Sequence, residues 1–190
     1  MGDRGRRPRR AGAGLAETLG QARELAQENR FFDAADNPLR QARLNLRLRR
    51  EGAIVTLTCK RKIADPAAGL HRHDEWEKQV DPDLWSLDPA ELAPRLPLPE
   101  PVRTALAGAP LRLLGGFANH RLEWRDGSDL LCLDRTDFRA RIDHELEIET
   151  LDAPAAQKKW AALLAGWGVD WSDQPVTKFA RWMGSFVAAS

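Results

Sequence analysis

The run Arg43-Leu44-Asn45-Leu46-Arg47-Leu48-Arg49 alternates without a break. Successive side chains of a strand point to opposite faces, so leucines fill one face and Arg43, Asn45, Arg47 and Arg49 the other. Its neighbours behave alike. Across 55–62, Val55, Leu57 and Cys59 stand against Thr56, Thr58, Lys60 and Lys62. In Glu145-Leu146-Glu147-Ile148-Glu149 three carboxylates share a face backed by Leu and Ile. A sheet with one face on a core and one in water produces such alternation. A ligand site produces it too, and two of these faces are sorted by sign. Guanidinium forks suit phosphate oxygens. Carboxylates suit hard cations such as Mg²⁺ and Mn²⁺. At roughly 3.4 Å per residue, the Cα atoms of Glu147 and Glu149 lie about 7 Å apart, near enough to converge on an ion. A closed antiparallel barrel with a polar lumen would set the two kinds of face opposite one another.

Outward from these strands the chain reads as α+β. The stripe Leu15, Leu19, Ala22, Leu25 and Ala26 predicts an amphipathic helix over 15–27, with Gly20 either weakening it in the middle or ending a first segment. A short strand over 29–33 leads to the turn Asp36-Asn37-Pro38, then strands over 43–50, 53–62 and 70–80. Pro-rich residues 81–110 predict short helices near 89–94 and 100–107. Strands return at 111–117, 119–125, 129–135 and 141–150, with Asp126-Gly127 as a hairpin turn. Two helical stretches close the chain, broken at Gly168 and resuming over 175–187. Residues 1–13, rich in Arg, read as a disordered basic arm, and 14–190 as one domain.

Composition narrows the function. A net charge of +1 lacks the basic excess of a nucleic-acid coat. No apolar run approaches the roughly 20 residues of a membrane span, and the N-terminal arginines precede no signal-like apolar stretch. Two cysteines, Cys59 and Cys132, make no disulfide framework and read as buried free thiols in a cytoplasmic protein. His71 and His73 share a strand face, but zinc needs three or four protein ligands and no third stands nearby. His120 and His144 read as ordinary positions, and the seven tryptophans as helix packing.

Several motifs, in order, resemble the CYTH family, the triphosphate tunnel metalloenzymes. They are Asn29-Arg30-Phe31-Phe32-Asp33 with 39–49, Leu114-Gly115-Gly116-Phe117 with Asn119 and Arg121, Leu131-Cys132-Leu133-Asp134-Arg135-Thr136, 145–150, and Val176-Thr177-Lys178-Phe179-Ala180. The likeness runs from about 15 to 185 and is nearest to a tripolyphosphatase-like branch, related to thiamine-triphosphatases and class IV adenylate cyclases. It implies an eight-stranded antiparallel β-barrel with flanking helices and a triphosphate along its axis. It further implies that Arg47, Arg49, Lys60, Arg72, Arg121 and Lys178 hold phosphate, and that Glu75, Glu77, Glu147 and Glu149 hold Mg²⁺ or Mn²⁺. Arg121, Lys178 and Asp134 would act in catalysis, Asp134 by orienting a basic residue, and Glu145 is a further candidate beside the metal pair Glu147 and Glu149. Arg72 faces away from Glu75 and Glu77 in a regular strand, and Thr58 replaces a lysine of relatives, which weakens the grip on phosphate.

Members of the family open on an E-x-E-x-K strand, whereas no glutamate precedes Glu17 here. That strand is expected upstream of Met1, through a misassigned start or frame. The implied activity is metal-dependent hydrolysis of a linear triphosphate, inorganic tripolyphosphate or an organic one such as thiamine triphosphate. The alternatives are a catalytically impaired polyphosphate-binding protein and a cyclase-like enzyme. The expected partner is a small triphosphate, without membrane or nucleic acid, on a monomer or homodimer.

Overall fold

A computed structural model describes residues 6–62, 73–138 and 141–187. In chain order they form α1 (Arg6–Leu19), β1 (Arg23–Asp33), α2 (Pro38–Gln41), β2 (Leu44–Glu51), β3 (Ile54–Lys62), β4 (His73–Val80), a 3-10 turn (Pro82–Ser86), α3 (Pro89–Leu92) and α4 (Glu100–Leu106). Then come β5 (Arg112–Asp126), β6 (Asp129–Asp137), β7 (Ile142–Glu149), α5 (Ala153–Gly166) and α6 (Lys178–Val187). The fold is α+β, with hydrogen-bonded strand order β4-β3-β2-β1-β5-β6-β7. Seven strands are present among the described residues where the family pattern has eight, and residues 6–19 are helical. Contacts divide the described residues into two compact units, one built from 27–62 and 73–118, the other from 6–26, 119–138 and 141–187.

In the unit holding β2, β3 and β4, alternation decides which face is buried. Leu44, Leu46 and Leu48 join Val55, Leu57, Cys59 and Val80 in a core closed by Trp85, Leu92, Leu96, Leu98, Val102 and Leu106. The register places Leu46 beside Cys59 and Leu48 beside Leu57, so the apolar rows are continuous. Asp33 closes the β1–β2 connection: one carboxylate oxygen accepts from the amides of Ala34 and Leu39, the other from Arg40. Asp36 and Asn37 adopt left-handed backbone at φ 62° and 53°, a conformation that short polar side chains tolerate. Arg43 also has positive φ (59°), so β2 begins one residue later than expected and Arg43 is not on its charged face. At Gly116 a Cβ would stand 1.9 Å from the carbonyl oxygen of Asn29, so only glycine allows β5 this close to β1.

The other unit packs Leu15, Trp124, Leu131, Ala156 and Trp160 together, with Leu146, Ile148, Leu163 and Trp167 against them. Its first helix departs from expectation. It spans Arg6–Leu19 rather than 15–27, because Gly20 at φ 84° ends it and β1 starts at Arg23. The arginines read as a disordered arm are therefore helical from Arg6 onward; residues 1–5 lie outside the described residues. Arg7 pairs with Asp170 at 3.3 Å and Arg10 donates to the Gly168 carbonyl, which fastens this turn to the unit. Gly14 lies on the Trp167 indole, where a Cβ would come within 2.2 Å of the ring. The two strands expected over 111–125 are one, β5. Cys59 and Cys132 are buried free thiols. No helix among the described residues is long and apolar enough to cross a membrane.

Candidate active site

The charged face of β2 continues across its neighbours as rows set by register. Asn29 stands beside Arg49, Arg49 beside Thr56, and Thr56 beside Gln79. The next row runs Phe31, Arg47, Thr58 and Glu77, and the third Asn45, Lys60 and Glu75. Side chains pair along these rows. Lys60 meets Glu75 at 2.9 Å, both about one-third exposed. The Thr58 hydroxyl donates to Glu77 at 2.8 Å and accepts from Arg47 Nη2 at 3.3 Å. Thr58 thus couples a guanidinium to a carboxylate where a lysine would have added charge. Arg49 turns to Asn29 (3.4 Å) and to Glu51 (3.7 Å), and Glu51 also accepts from buried Gln27. Burial works against ionisation of Glu75, but the Lys60 ammonium outweighs it and holds that carboxyl below the usual range. Arg72 and His71 lie outside the described residues.

In the other unit, charge converges rather than pairing side by side. Asp134 of β6 is fully buried and receives four donors. Arg121 of β5 gives it Nε and Nη2, each at 2.7 Å; Asn119 gives Nδ2 at 2.9 Å, and Lys178 its ammonium. Thr136 donates to Asn119 Oδ1 at 2.7 Å and so fixes the amide. Glu147 of β7 accepts from Arg121 at 2.6 Å and from Lys178 at 3.0 Å. Arg121 and Lys178 are only 8% and 14% exposed at their side chains, a burial that isolated cations do not tolerate. Burial pulls the Lys178 pKa down, but Glu147, Asp134 and Glu145 outweigh it and hold it above the ordinary lysine value. The same balance, with burial opposed by Asp134 and Glu147, raises Arg121. Asp134 was expected to orient one basic residue; it orients two.

Glu145 and Asp143, also on β7, are taken by Arg181 of α6 at 2.6 Å and 2.9 Å. Glu149 is exposed and has no protein partner among the described residues. Among the described residues no three His, Cys, Asp or Glu groups converge as a metal site. The donor set nevertheless suits a hard cation. Asp134, Asp143, Glu145, Glu147 and Glu149 outnumber Arg121, Lys178 and Arg181 by two formal negative charges. Magnesium commonly takes only one or two carboxylates and completes its shell with water and phosphate. Sequence reasoning missed Glu51, Thr136, Asp143 and Arg181. Glu51 extends the period-2 series of Arg47 and Arg49, a legible signal; Arg181, on a helix, has none.

The CYTH domain family matches residues 11–164 of the chain. No curated protein matches it. Among solved structures, HpAC1 from Hippeastrum, described as having a dominant triphosphatase activity, superposes with a TM-score of 0.80 at 24% identity over 92% of this chain and 90% of that one. A candidate adenylate cyclase from Bacillus halodurans gives 0.66 at 23% identity, covering 91% and 90%. PH1819 from Pyrococcus horikoshii gives 0.63 at 18% identity, covering 93% and 94%. At such identities the superpositions speak for the fold alone. The family match, which spans most of the chain, identifies it as a member of the CYTH domain family.

Proposed function

We propose that this chain hydrolyses a phosphoanhydride bond of a linear triphosphate, inorganic tripolyphosphate or a similar short substrate, with Mg²⁺ or Mn²⁺. The observation that carries this reading is the Arg121–Asp134–Lys178–Glu147 network. Two cations, nearly buried, are aimed by a carboxylate that touches no solvent. Such fixed charge suits an anionic group whose charge redistributes during transfer. Arg47, Arg49 and Lys60 would take phosphate oxygens, exchanging their present partners for them. Arg121 and Lys178 would hold the transferring phosphoryl group while Asp134 keeps both in place. Glu147 and Glu149 would hold the divalent cation, with Glu75 and Glu77 as a second carboxylate pair. When bound, that cation neutralises phosphate oxygens and lowers the pKa of water. A cysteine nucleophile is disfavoured, since burial pushes the Cys59 thiol up to about 11 and Cys132 to about 12.

A second reading is a binding protein with impaired turnover. It is favoured by Glu75 and Glu77 being engaged by Lys60 and Thr58. One experiment separates the two. Purified protein with Mg²⁺ or Mn²⁺ is offered tripolyphosphate, thiamine triphosphate and ATP while phosphate, cyclic AMP and binding heat are measured. Phosphate release supports the enzyme, binding without release supports the second reading, and cyclic AMP as main product replaces both with a cyclase.

A further inference from the structure

The carboxylates of β7 meet their cations unequally: Glu147 lies 2.6 Å from Arg121 and 3.0 Å from Lys178, whereas Glu145 lies 2.6 Å from Arg181 and only 3.6 Å from Lys178. Lys178 and Arg181 are three residues apart on α6, one helical turn, and so share a face. Arg181 is 7% exposed and uses every guanidinium nitrogen. Nε donates to Asp143 at 2.9 Å, Nη2 to Glu145 at 2.6 Å, and Nη1 to the Val176 carbonyl at 2.7 Å. Its own amide bonds the Thr177 carbonyl at 2.9 Å, and the Thr177 hydroxyl accepts from Ala180. The start of α6 is therefore tied to β7 at the turn that carries Lys178. Asp143 stands beside Thr136 and Glu145 beside Asp134, so this tie lies in register with the Asp134 hub.

We propose that Arg181 is a positioning residue with two effects. It sets Lys178 between Asp134 and Glu147, and it keeps Glu145 from joining Glu147 and Glu149 around a cation. The second effect explains a chemical oddity. Glu145, Glu147 and Glu149 alternate on one face, yet only Glu145 is bound by a two-pronged guanidinium. A lysine at 181 could satisfy one carboxylate but not fork across to the second. This inference rests on the triphosphatase reading of the same site.

The test is a double-mutant cycle on the full chain, with Mn²⁺ affinity measured separately by electron paramagnetic resonance in the absence of substrate. Arg181→Gln is expected to lower kcat for tripolyphosphate by about 10- to 100-fold, the range found when a supporting contact is lost. Because it acts through Lys178, Arg181→Gln should add less than about threefold to the loss from Lys178→Gln. Arg181→Lys should recover part of kcat. In the binding experiment Arg181→Gln should tighten Mn²⁺ severalfold as Glu145 is released, and Glu145→Gln added to it should abolish that gain. A purely structural role would loosen the site and tighten nothing. Multiplicative losses, or Mn²⁺ affinity unchanged by Arg181→Gln, overturn the inference while leaving the triphosphatase reading intact. Should Arg181→Gln fail to fold, Arg181→Lys carries both measurements, with the same signs and smaller size. Wild-type protein that neither binds nor hydrolyses tripolyphosphate overturns that reading, and the inference with it.

Discussion

Both units carry cations and carboxylates on a polar strand face, but they dispose of them differently. Along β2, β3 and β4 charges neutralise one another sideways across the register, half in water, as Lys60 and Glu75 do. Around β5, β6 and β7 they focus on Asp134, which touches no solvent. An exposed pair contributes about 0–1 kcal/mol, and its members are available to another partner. A buried hub contributes little net against an apolar replacement, yet removing one member leaves charges uncompensated at about 3–5 kcal/mol. The rows on β2–β4 are therefore suited to exchange partners with a ligand, and the hub is suited to stay fixed while one arrives.

Asp134→Asn should break the comparison most visibly. Stripped of the central charge, Arg121 is left buried beside Glu147, and Lys178 beside Glu147 and the more distant Glu145 at 3.6 Å. A loss of about 3 kcal/mol is expected, roughly 6–12 °C in Tm for a chain of this size. A calorimetric Tm within about 2 °C of wild type would show that the hub is not the fixed element argued above. Lys60→Gln is the counterpart, expected to move Tm by less than about 3 °C while weakening tripolyphosphate about tenfold in a titration. If stability falls and affinity does not, the β2–β4 rows are structural. The smallest effect concerns the thiols. Their folded pKa values, about 11 for Cys59 and about 12 for Cys132, stand above the roughly 8.5 of an unfolded cysteine. Above pH 8.5 the unfolded chain releases protons that the folded chain retains, so stability should fall as pH rises towards 11. At pH 8 native protein should react with iodoacetamide far more slowly than protein in guanidinium. Equal rates would place at least one thiol at the surface.

How much of this could be read from the residues depended on period and distance along the chain. Strand faces were legible because alternation in Leu44–Arg49 and in 145–149 directly states which side is buried. The border between α1 and β1 was half legible. Leu15, Leu19, Ala22, Leu25 and Ala26 keep helical spacing across Gly20, which marked either a weak point or an end, and the positive φ there makes it the end. Candidate site residues on strands were named from alternation plus family motifs. Arg181 left no trace, because it joins α6 to residues 36 and 38 positions earlier, and no local pattern encodes such a pairing. Thr58 was singled out as standing in a lysine's place, but its hydroxyl bridge from Arg47 to Glu77 depends on the side-by-side register of three strands.

The three amides gathered by Asp33 have a consequence beyond closing a turn. They fix how many residues separate Asp33 from β2, and that spacing decides which side chains of β2 meet Thr58 and Asn29. A slip by one position would present Leu46 and Leu48 where Arg47 and Arg49 now stand, exchanging the greasy side of the sheet for the wet one. Surface connections usually absorb added residues freely. Between Asp33 and Leu44 a single added residue should instead be among the least tolerated changes in the chain, and insertion scanning would reveal an intolerant stretch on the outside of the protein.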